Sequence, residues 1–378
     1  MKKQLLATTA LVAAGLMVTA TAQAKPKLAI GGWFEGIVGV VNDDRGEVNG
    51  AGAGHLGVDV QQDAEIHFKG SVTLDNGIKI RTRVELEGTS ANSTDTIDEA
   101  YVDISGSFGA IRIGSEDNAA HLMVTPYQGH WATNVGQNIS FDTGDWIEAP
   151  AGMGAGSVNR LDLGDADSEK ISYFTPRIGG FQVGVSYLPS LTEGDNGEPE
   201  SRAENPHEGF AAAANYNGKF SGVGVGLAAG YATIKPASPA VSVEASDPEG
   251  VAAGIRLDFG GLRVAYGYHR EWNLSSEVAA TDNGDTAHQF GVKYKAGKNH
   301  FSVGYRNIQD EGQRAVAAED ELNSVLVSYR RDLGPGVQYR LNFFWADYDG
   351  EAVGSGDDNE GIALTTSVRL ARSEERRV

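Results

Sequence analysis

The sequence has no cysteine and, after its first 24 residues, no apolar run long enough to form a membrane-spanning helix. The missing cysteine excludes a disulfide-stabilised secreted domain, thiol catalysis and cysteine-bound metal. A spanning helix needs about 20 predominantly apolar residues, and none of the later runs reaches that length. Basic residues are also few, since 31 Lys and Arg face 51 Asp and Glu, for a formal net charge of −20. Because phosphate binding requires a basic surface, nucleic acid is not an expected partner.

The N-terminus has the pattern of a secretory signal peptide. Lys2 and Lys3 precede a mostly apolar stretch from Leu5 to Ala20, and Ala22-Gln23-Ala24 matches an A-x-A cleavage site. A membrane anchor is the alternative, but threonines in and beside the run dilute its hydrophobicity. The pattern therefore predicts a signal peptide over residues 1–24. Cleavage would leave a mature chain with a formal net charge of −22, because both lysines are lost.

The ten residues from Ile78 to Glu87 alternate strictly between two kinds of side chain. Even positions are apolar or Thr, and odd positions are all charged, which is typical of a strand with one apolar and one polar face. The stretch from Glu65 to Leu74 alternates in the same way, and the turn sequence Asp75-Asn76-Gly77 joins the two. A single hairpin of this kind is more common in a soluble sandwich, so the distinction depends on whether the pattern repeats.

The alternation repeats along the chain and predicts about sixteen strands, most of them near the roughly 9–11 residues that cross a membrane. Short Gly, Asn and Asp turns alternate with longer acidic loops. An even number of strands with short turns at one end and long loops at the other is typical of an outer-membrane barrel. Tyr and Phe also recur near strand ends, as in an aromatic belt at the membrane surface, although Tyr favours strands in general.

One long stretch, residues 115–168, shows no sustained alternation. A loop of this length in a compact domain is expected to be functional. Its acid-rich run from Asp162 to Asp167 could bind Ca²⁺ through carboxylates, but a solvated acidic loop is the more common case. Apart from that calcium hypothesis, the sequence predicts no cofactor and no bound metal.

The segments from Ala100 to Gly114 and from Lys170 to Tyr187 resemble the Gram-negative general porins. The resemblance extends over essentially the whole mature chain, and the first segment is followed by the long third loop, as in that family. It implies an all-β protein, a 16-stranded antiparallel transmembrane β-barrel over residues 25–370 with an inward-folded third loop. It also implies a homotrimer in outer-membrane lipid and lipopolysaccharide that passes small hydrophilic solutes and ions. Residues 371–378 form a charged tail where the family usually ends on an aromatic residue.

Charged side chains on the early strands and in the long loop are the candidates for the pore constriction, because charged rings set ion preference in channels. Basic residues would project from the inner wall and acids from the inward-folded loop, facing each other across water. The alternative for each basic residue is an ordinary solvated or salt-bridged side chain. The predicted constriction set is Lys79, Arg81, Arg83, Arg112, Asp142, Asp145 and Glu148.

The sequence therefore favours a diffusion porin that is not an enzyme and is weakly cation-selective because the mature chain is so acidic. A solute-selective channel on the same barrel is the alternative. An outer-membrane barrel enzyme would need a catalytic constellation near the rim, which the sequence does not locate. A soluble, secreted β-rich binding protein is the remaining hypothesis.

Overall fold

The computed structural model describes residues 25–44, 57–89, 97–137, 142–150, 161, 163, 167–191, 206–237, 247–273, 284–311, 319–350 and 358–371. The predicted signal peptide, the tail after Ala371 and most of the acid-rich run from Asp162 to Asp167 lie outside these residues. None of the helices in the described ranges has both the length and the hydropathy needed to cross a membrane.

Sixteen strands form in the order that the alternating pattern predicts. The first eight are β1 (Lys27–Asp43), β2 (Val58–Thr73), β3 (Lys79–Glu87), β4 (Ile97–Gly106), β5 (Gly109–Ser115), β6 (Glu169–Phe174), β7 (Phe181–Ser190) and β8 (His207–Phe220). The other eight are β9 (Val223–Lys235), β10 (Glu249–Phe259), β11 (Leu262–Trp272), β12 (Gly284–Ala296), β13 (Asn299–Glu311), β14 (Glu319–Gly334), β15 (Val337–Gly350) and β16 (Asn359–Ala371).

The strands form one closed barrel in which each pairs antiparallel with its sequence neighbours. β1 closes the barrel against β16, with a register that runs from Trp33 opposite Ala371 to Asp43 opposite Gly361. A closed barrel leaves no unpaired strand edge, as a sheet in lipid requires. The predicted 16-stranded antiparallel fold is confirmed.

The two barrel faces differ in polarity, as the alternation predicts. Large apolar side chains that are 44–46% exposed form an outer belt, as Val38, Phe68, Ile113, Phe290 and Leu364 illustrate on five strands. The inner face instead carries fully buried polar side chains. Examples are Gln289, Ser324, Asn342 and Thr365.

Strand boundaries differ most from the sequence prediction at the long-loop ends. β2 begins at Val58 rather than at Glu65, where the predicted stretch starts. Pairing continues past the apolar segment because polar strand residues still complete the backbone ladder there. At the opposite end, the predicted turn is confirmed: Leu74 accepts from the Gly77 amide at 2.9 Å, and Gly77 has a φ of 84°.

The long third loop lies inside the barrel, and its described part contains three short helices that the sequence analysis did not predict. They are α1 (Ala119–Val124), α2 (Gly129–Thr133) and α3 (Asp142–Trp146), with a 3₁₀ turn at Thr125–Tyr127. Asn118 caps α1, since its Oδ1 accepts from the amides of Ala120 and His121 at 2.9 and 3.0 Å. Helices of 5–6 residues have too little periodicity to detect, and packing on the wall stabilises them.

Candidate functional site

The inner wall beside the loop carries linked ion pairs on three adjacent strands. Arg81 on β3 donates to Asp103 on β4, with Nη2 2.8 Å from Oδ1. Arg112 on β5 approaches the other oxygen of Asp103 at 3.8 Å and also forms an ion pair with Glu116. Three of these charges come from the cross-strand row that puts Arg81 opposite Asp103 and Asp103 opposite Arg112. The wall therefore presents arginines that are already matched by carboxylates.

Arg83 lies one pleat further along the same face of β3. It forms an ion pair with Glu85, and its Nη2 lies 3.4 Å from Nδ1 of His67 on β2. Arg81, Arg83 and Arg112 thus lie on three neighbouring positions of β3 and β5, on the side of the barrel next to β4.

The other predicted constriction residues are more dispersed. Lys79 is exposed next to the short turn at the start of β3. Asp145 lies in α3 and lines an internal cavity. The Glu148 side chain is exposed, and its carbonyl accepts from Asn359 of β16 at 2.7 Å. Asp142 begins α3, but its side chain lies outside the described part of the chain.

A cavity of about 650 Å³ lies between β1–β4 and the third loop. Its lining is strongly acidic, with nine carboxylates and two guanidinium groups. The carboxylates belong to Glu35, Asp63, Glu65, Glu87, Asp98, Glu99, Asp117, Asp145 and Asp167. Both guanidinium groups are engaged by one acid, because Glu35 Oε2 lies 2.9 Å from Arg340 Nη1 and 3.7 Å from Arg369 Nη1. Since acidic groups outnumber guanidinium groups nine to two, the cavity lining has an excess of negative charge.

Loop residues contribute to this acidic lining from the side opposite the wall. Burial raises the pKa of the Asp145 carboxyl above its ordinary value. Gln61 of β2 donates to the backbone carbonyl of Asp145 at 3.1 Å, which ties the loop to the wall across the cavity. The acidic surface is therefore built from both strands and loop.

The loop is anchored to the inner wall by polar side chains that bond its backbone. Ser186 on β7 accepts from the Ala119 amide at 2.8 Å, and Asn215 on β8 donates to the Met123 carbonyl at 3.1 Å. Farther along, Asn342 on β15 accepts from the Gln137 amide at 3.1 Å. These bonds satisfy backbone groups that would otherwise be buried without partners.

His130 of α2 is fully buried where the loop meets the wall. Burial lowers the pKa of this imidazole well below 6.5, and the nearby Arg306 guanidinium on β13 lowers it further. The imidazole is therefore neutral at pH 7. Trp131 packs beside it with a ring-centroid distance of 5.1 Å.

Most of the cavity acids were missed by the sequence analysis. Glu65, Glu87 and Glu99 occupy odd positions on alternating strands, so the pattern already placed them on the polar face. Nothing in the sequence indicated that Glu35 of β1 and Asp117 of the loop would meet them. The proximity of these side chains depends on barrel closure and on the path of the loop, which involve residues far apart in the chain.

A family model described as Gram-negative porin matches residues 7–363. Outer membrane porin protein 32 of Delftia acidovorans is 29% identical over 191 residues, which is 50% of this chain and 49% of that protein. The match thus spans about half the length of that relative.

Solved structures match over nearly the whole chain. An anion-selective porin from Comamonas acidovorans has a TM-score of 0.61 at 16% identity and covers 92% of this chain and 100% of its own. OmpT of Vibrio cholerae, in a trimer form, has a TM-score of 0.59 at 12% identity over 92% and 99% of the two chains. At these identities the likeness shows the fold.

Proposed function

Because the chain belongs to the Gram-negative porin family, we propose that it forms a water-filled, cation-preferring channel for the passive diffusion of ions and small hydrophilic solutes. It is an outer-membrane protein, and its family and fold are those of channels rather than of enzymes. The direction of ion preference and the residues that set it are the parts of this proposal that need measurement.

The acidic cavity carries the cation preference. A narrow aqueous space lined by charges of one sign concentrates the opposite ion and repels the like-charged one. The excess of carboxylates over guanidinium groups in the cavity lining supports enrichment of cations. The Comamonas acidovorans porin of the same fold is described as anion-selective. Because that porin has the same fold and is described as anion-selective, the lining charges of this chain are the property to test.

The proposed constriction lies between the arginines of β3 and β5 and the inward-folded loop. On the wall it comprises Arg81, Arg83 and Arg112, and on the loop it includes Asp145. Lys79 would lie at the pore mouth next to the short turns, and Asp142 and Glu148 remain loop candidates. The transverse field between opposite charges would favour polar solutes and hinder apolar ones, because apolar solutes do not compensate the dipoles of displaced water.

The proposed assembly is a homotrimer in outer-membrane lipid and lipopolysaccharide. The trimer form of OmpT from Vibrio cholerae, which shares this fold, supports that assembly. The proposed processing is cleavage after Ala24, with residues 115–168 as the constriction loop of the mature barrel.

The test is conductance in a planar lipid bilayer with detergent-purified protein. A salt gradient across the bilayer should give a reversal potential of the sign for cations, and channels should open in groups of three. A reversal potential of the sign for anions would contradict the selectivity. A silent bilayer with protein shown by circular dichroism to be a folded barrel would contradict the channel itself.

A further inference from the structure

A histidine and three carboxylates form a compact block on the inner face of β2 and β3. Glu65 and His67 are two residues apart on β2, so their side chains share a face. The pairing places Glu65 opposite Glu87 and His67 opposite Glu85. Like charges directly opposite each other destabilise a strand pair, so a cation bound among these three carboxylates would stabilise it.

Three of these side chains have the spacing of metal ligands. The Nε2 atom of His67 lies 2.7 Å from Glu65 Oε2 and 3.2 Å from Glu85 Oε2. One ligand atom of each residue lies within 4.8 Å of the other two. In a tetrahedral zinc site with bonds of about 2.0–2.1 Å, neighbouring ligand atoms are about 3.3–3.4 Å apart. The His67–Glu85 distance is close to that value, and the His67–Glu65 distance is about 0.6 Å shorter than it.

We propose that Glu65, His67 and Glu85 bind one divalent transition-metal ion, and zinc is the ion that we use to argue and test the site. Three protein ligands and a water molecule in the fourth position are the usual arrangement of an open zinc site. An imidazole ligand favours zinc, copper and nickel over magnesium and calcium, which prefer oxygen alone. On binding, the metal replaces the Nε2 proton that His67 shares with the two carboxylates, and that proton passes to solvent.

A metal ion can reach the block through the acidic cavity, and Trp33 orients one of the proposed ligands. His67 and Glu85 are only 1% and 3% exposed, but Glu65 lines the acidic cavity. Glu87 and Asp98 form a second group with Glu65, again with ligand atoms within 4.8 Å. A hydrated cation in the cavity therefore meets carboxylates before it reaches the buried imidazole. Trp33 holds the Glu65 carboxylate by donating from Nε1 at 3.1 Å, as the outer partners of metal ligands do.

The positive charge of Arg83 weakens the binding of a metal ion to this block. Its guanidinium forms an ion pair with Glu85 and lies 3.4 Å from His67 Nδ1, so it competes with the metal for the same negative charge. Removing this positive charge should strengthen metal binding. A purely structural role for the block predicts no such gain.

The proposal is tested by equilibrium dialysis of the untagged, metal-free, folded protein in detergent against zinc chloride. The expected result is one zinc per chain, with binding retained in excess magnesium. His67→Ala should weaken binding by at least about tenfold, since even outer partners of metal ligands contribute 10–100-fold to affinity. Arg83→Gln should tighten it. If His67→Ala does not fold, Glu65→Gln, on the cavity side of the block, provides the same test.

His269→Ala is the matched control. His269 is also buried on the inner face and bonds a carboxylate two residues away, with Nε2 3.0 Å from Glu271 Oε1. It belongs to no three-ligand group among the residues that the structure describes. Zinc binding that is absent, that His67→Ala leaves unchanged, or that His269→Ala weakens equally would overturn the proposal. Dialysis does not require conduction, so this failure is distinguishable from failure of the proposed channel.

Discussion

At the scale of single residues, the charge of the inner wall is set by pairing rather than by the count of basic residues. Arg81 and Arg112 lie on the two sides of Asp103, which is 3% exposed. A carboxylate between two guanidinium groups reduces the positive field that they project into water. We therefore expect Asp103 to add to the cation preference proposed for the acidic cavity, because it offsets the positive charge of the arginines around it.

Asp103→Asn should lower the preference for cations. The substitution keeps the size of the side chain but leaves the charges of Arg81 and Arg112 uncompensated next to the lumen. One charge about 8 Å from a permeating ion, screened by water and salt, changes the energy of that ion by about 0.5 kcal/mol. The cation-to-anion permeability ratio should therefore fall about twofold. The reversal potential in a salt gradient measures this ratio.

The matched control for that substitution is the double variant Arg81→Gln with Asp103→Asn. It removes one charge of each sign, so the permeability ratio should return towards that of the unmodified protein. If the single and double variants have equal reversal potentials, Arg81 does not act on permeant ions through this pair.

At the scale of elements, the third loop fits against the wall because glycines on facing strands leave room for its backbone. A Cβ atom built at Gly254 of β10 would lie 2.7 Å from the Tyr127 carbonyl carbon. One built at Gly267 of β11 would lie 2.6 Å from Gln128 Cβ. Both distances are far shorter than van der Waals contact, so the loop and these strand positions are matched in shape.

Gly254→Ala should push the loop away from the wall and into the lumen. Inserting a methyl group into a packed contact costs about 1–3 kcal/mol, and the clash here is with backbone that has no alternative rotamer. The expected result is a lower single-channel conductance with the barrel still folded.

The control is Gly36→Ala on β1, where an added Cβ atom meets nothing nearer than Phe34 at 3.8 Å. This variant should conduct like the unmodified protein. Unchanged conductance in Gly254→Ala would show that the loop does not narrow the pore from this side.

At the scale of the whole molecule, the sequence predicts the barrel well because its signal is local and repeated. The alternation of Ile78 to Glu87 indicates which side chains face inward, and a period of two in burial recurs in strands such as β8, β15 and β16. The loop path is not local. Gln137 meets Asn342 after more than two hundred intervening residues, and no period in the sequence records that contact. The local alternation therefore indicates the face of β3 on which Arg81 and Arg83 lie, whereas most of the cavity acids come together through contacts that the alternation does not contain.

The barrel and its loop also differ in how they are stabilised. Every strand pairs on both sides in a closed ladder, whereas the described part of the loop is held by side-chain packing and individual hydrogen bonds to the wall, without a continuous ladder. Segments with fewer contacts open at lower free energy than the surrounding structure. A perturbation at the loop–wall contact should therefore release the loop while the barrel remains folded.

Acidification should produce that release through His130. Its pKa in the folded protein is lowered below 6.5, so the unattached state binds more protons, and loop attachment weakens as the pH falls below about 6.5. The loss is up to about 1.4 kcal/mol for each pH unit until the folded pKa is reached. Channel closures should become more frequent between pH 6.5 and 5, with unchanged circular dichroism. His130→Gln carries no titrating group at this position, so the increase in closures between pH 6.5 and 5 should disappear. Closures with the same pH dependence in both proteins would assign the effect to another group.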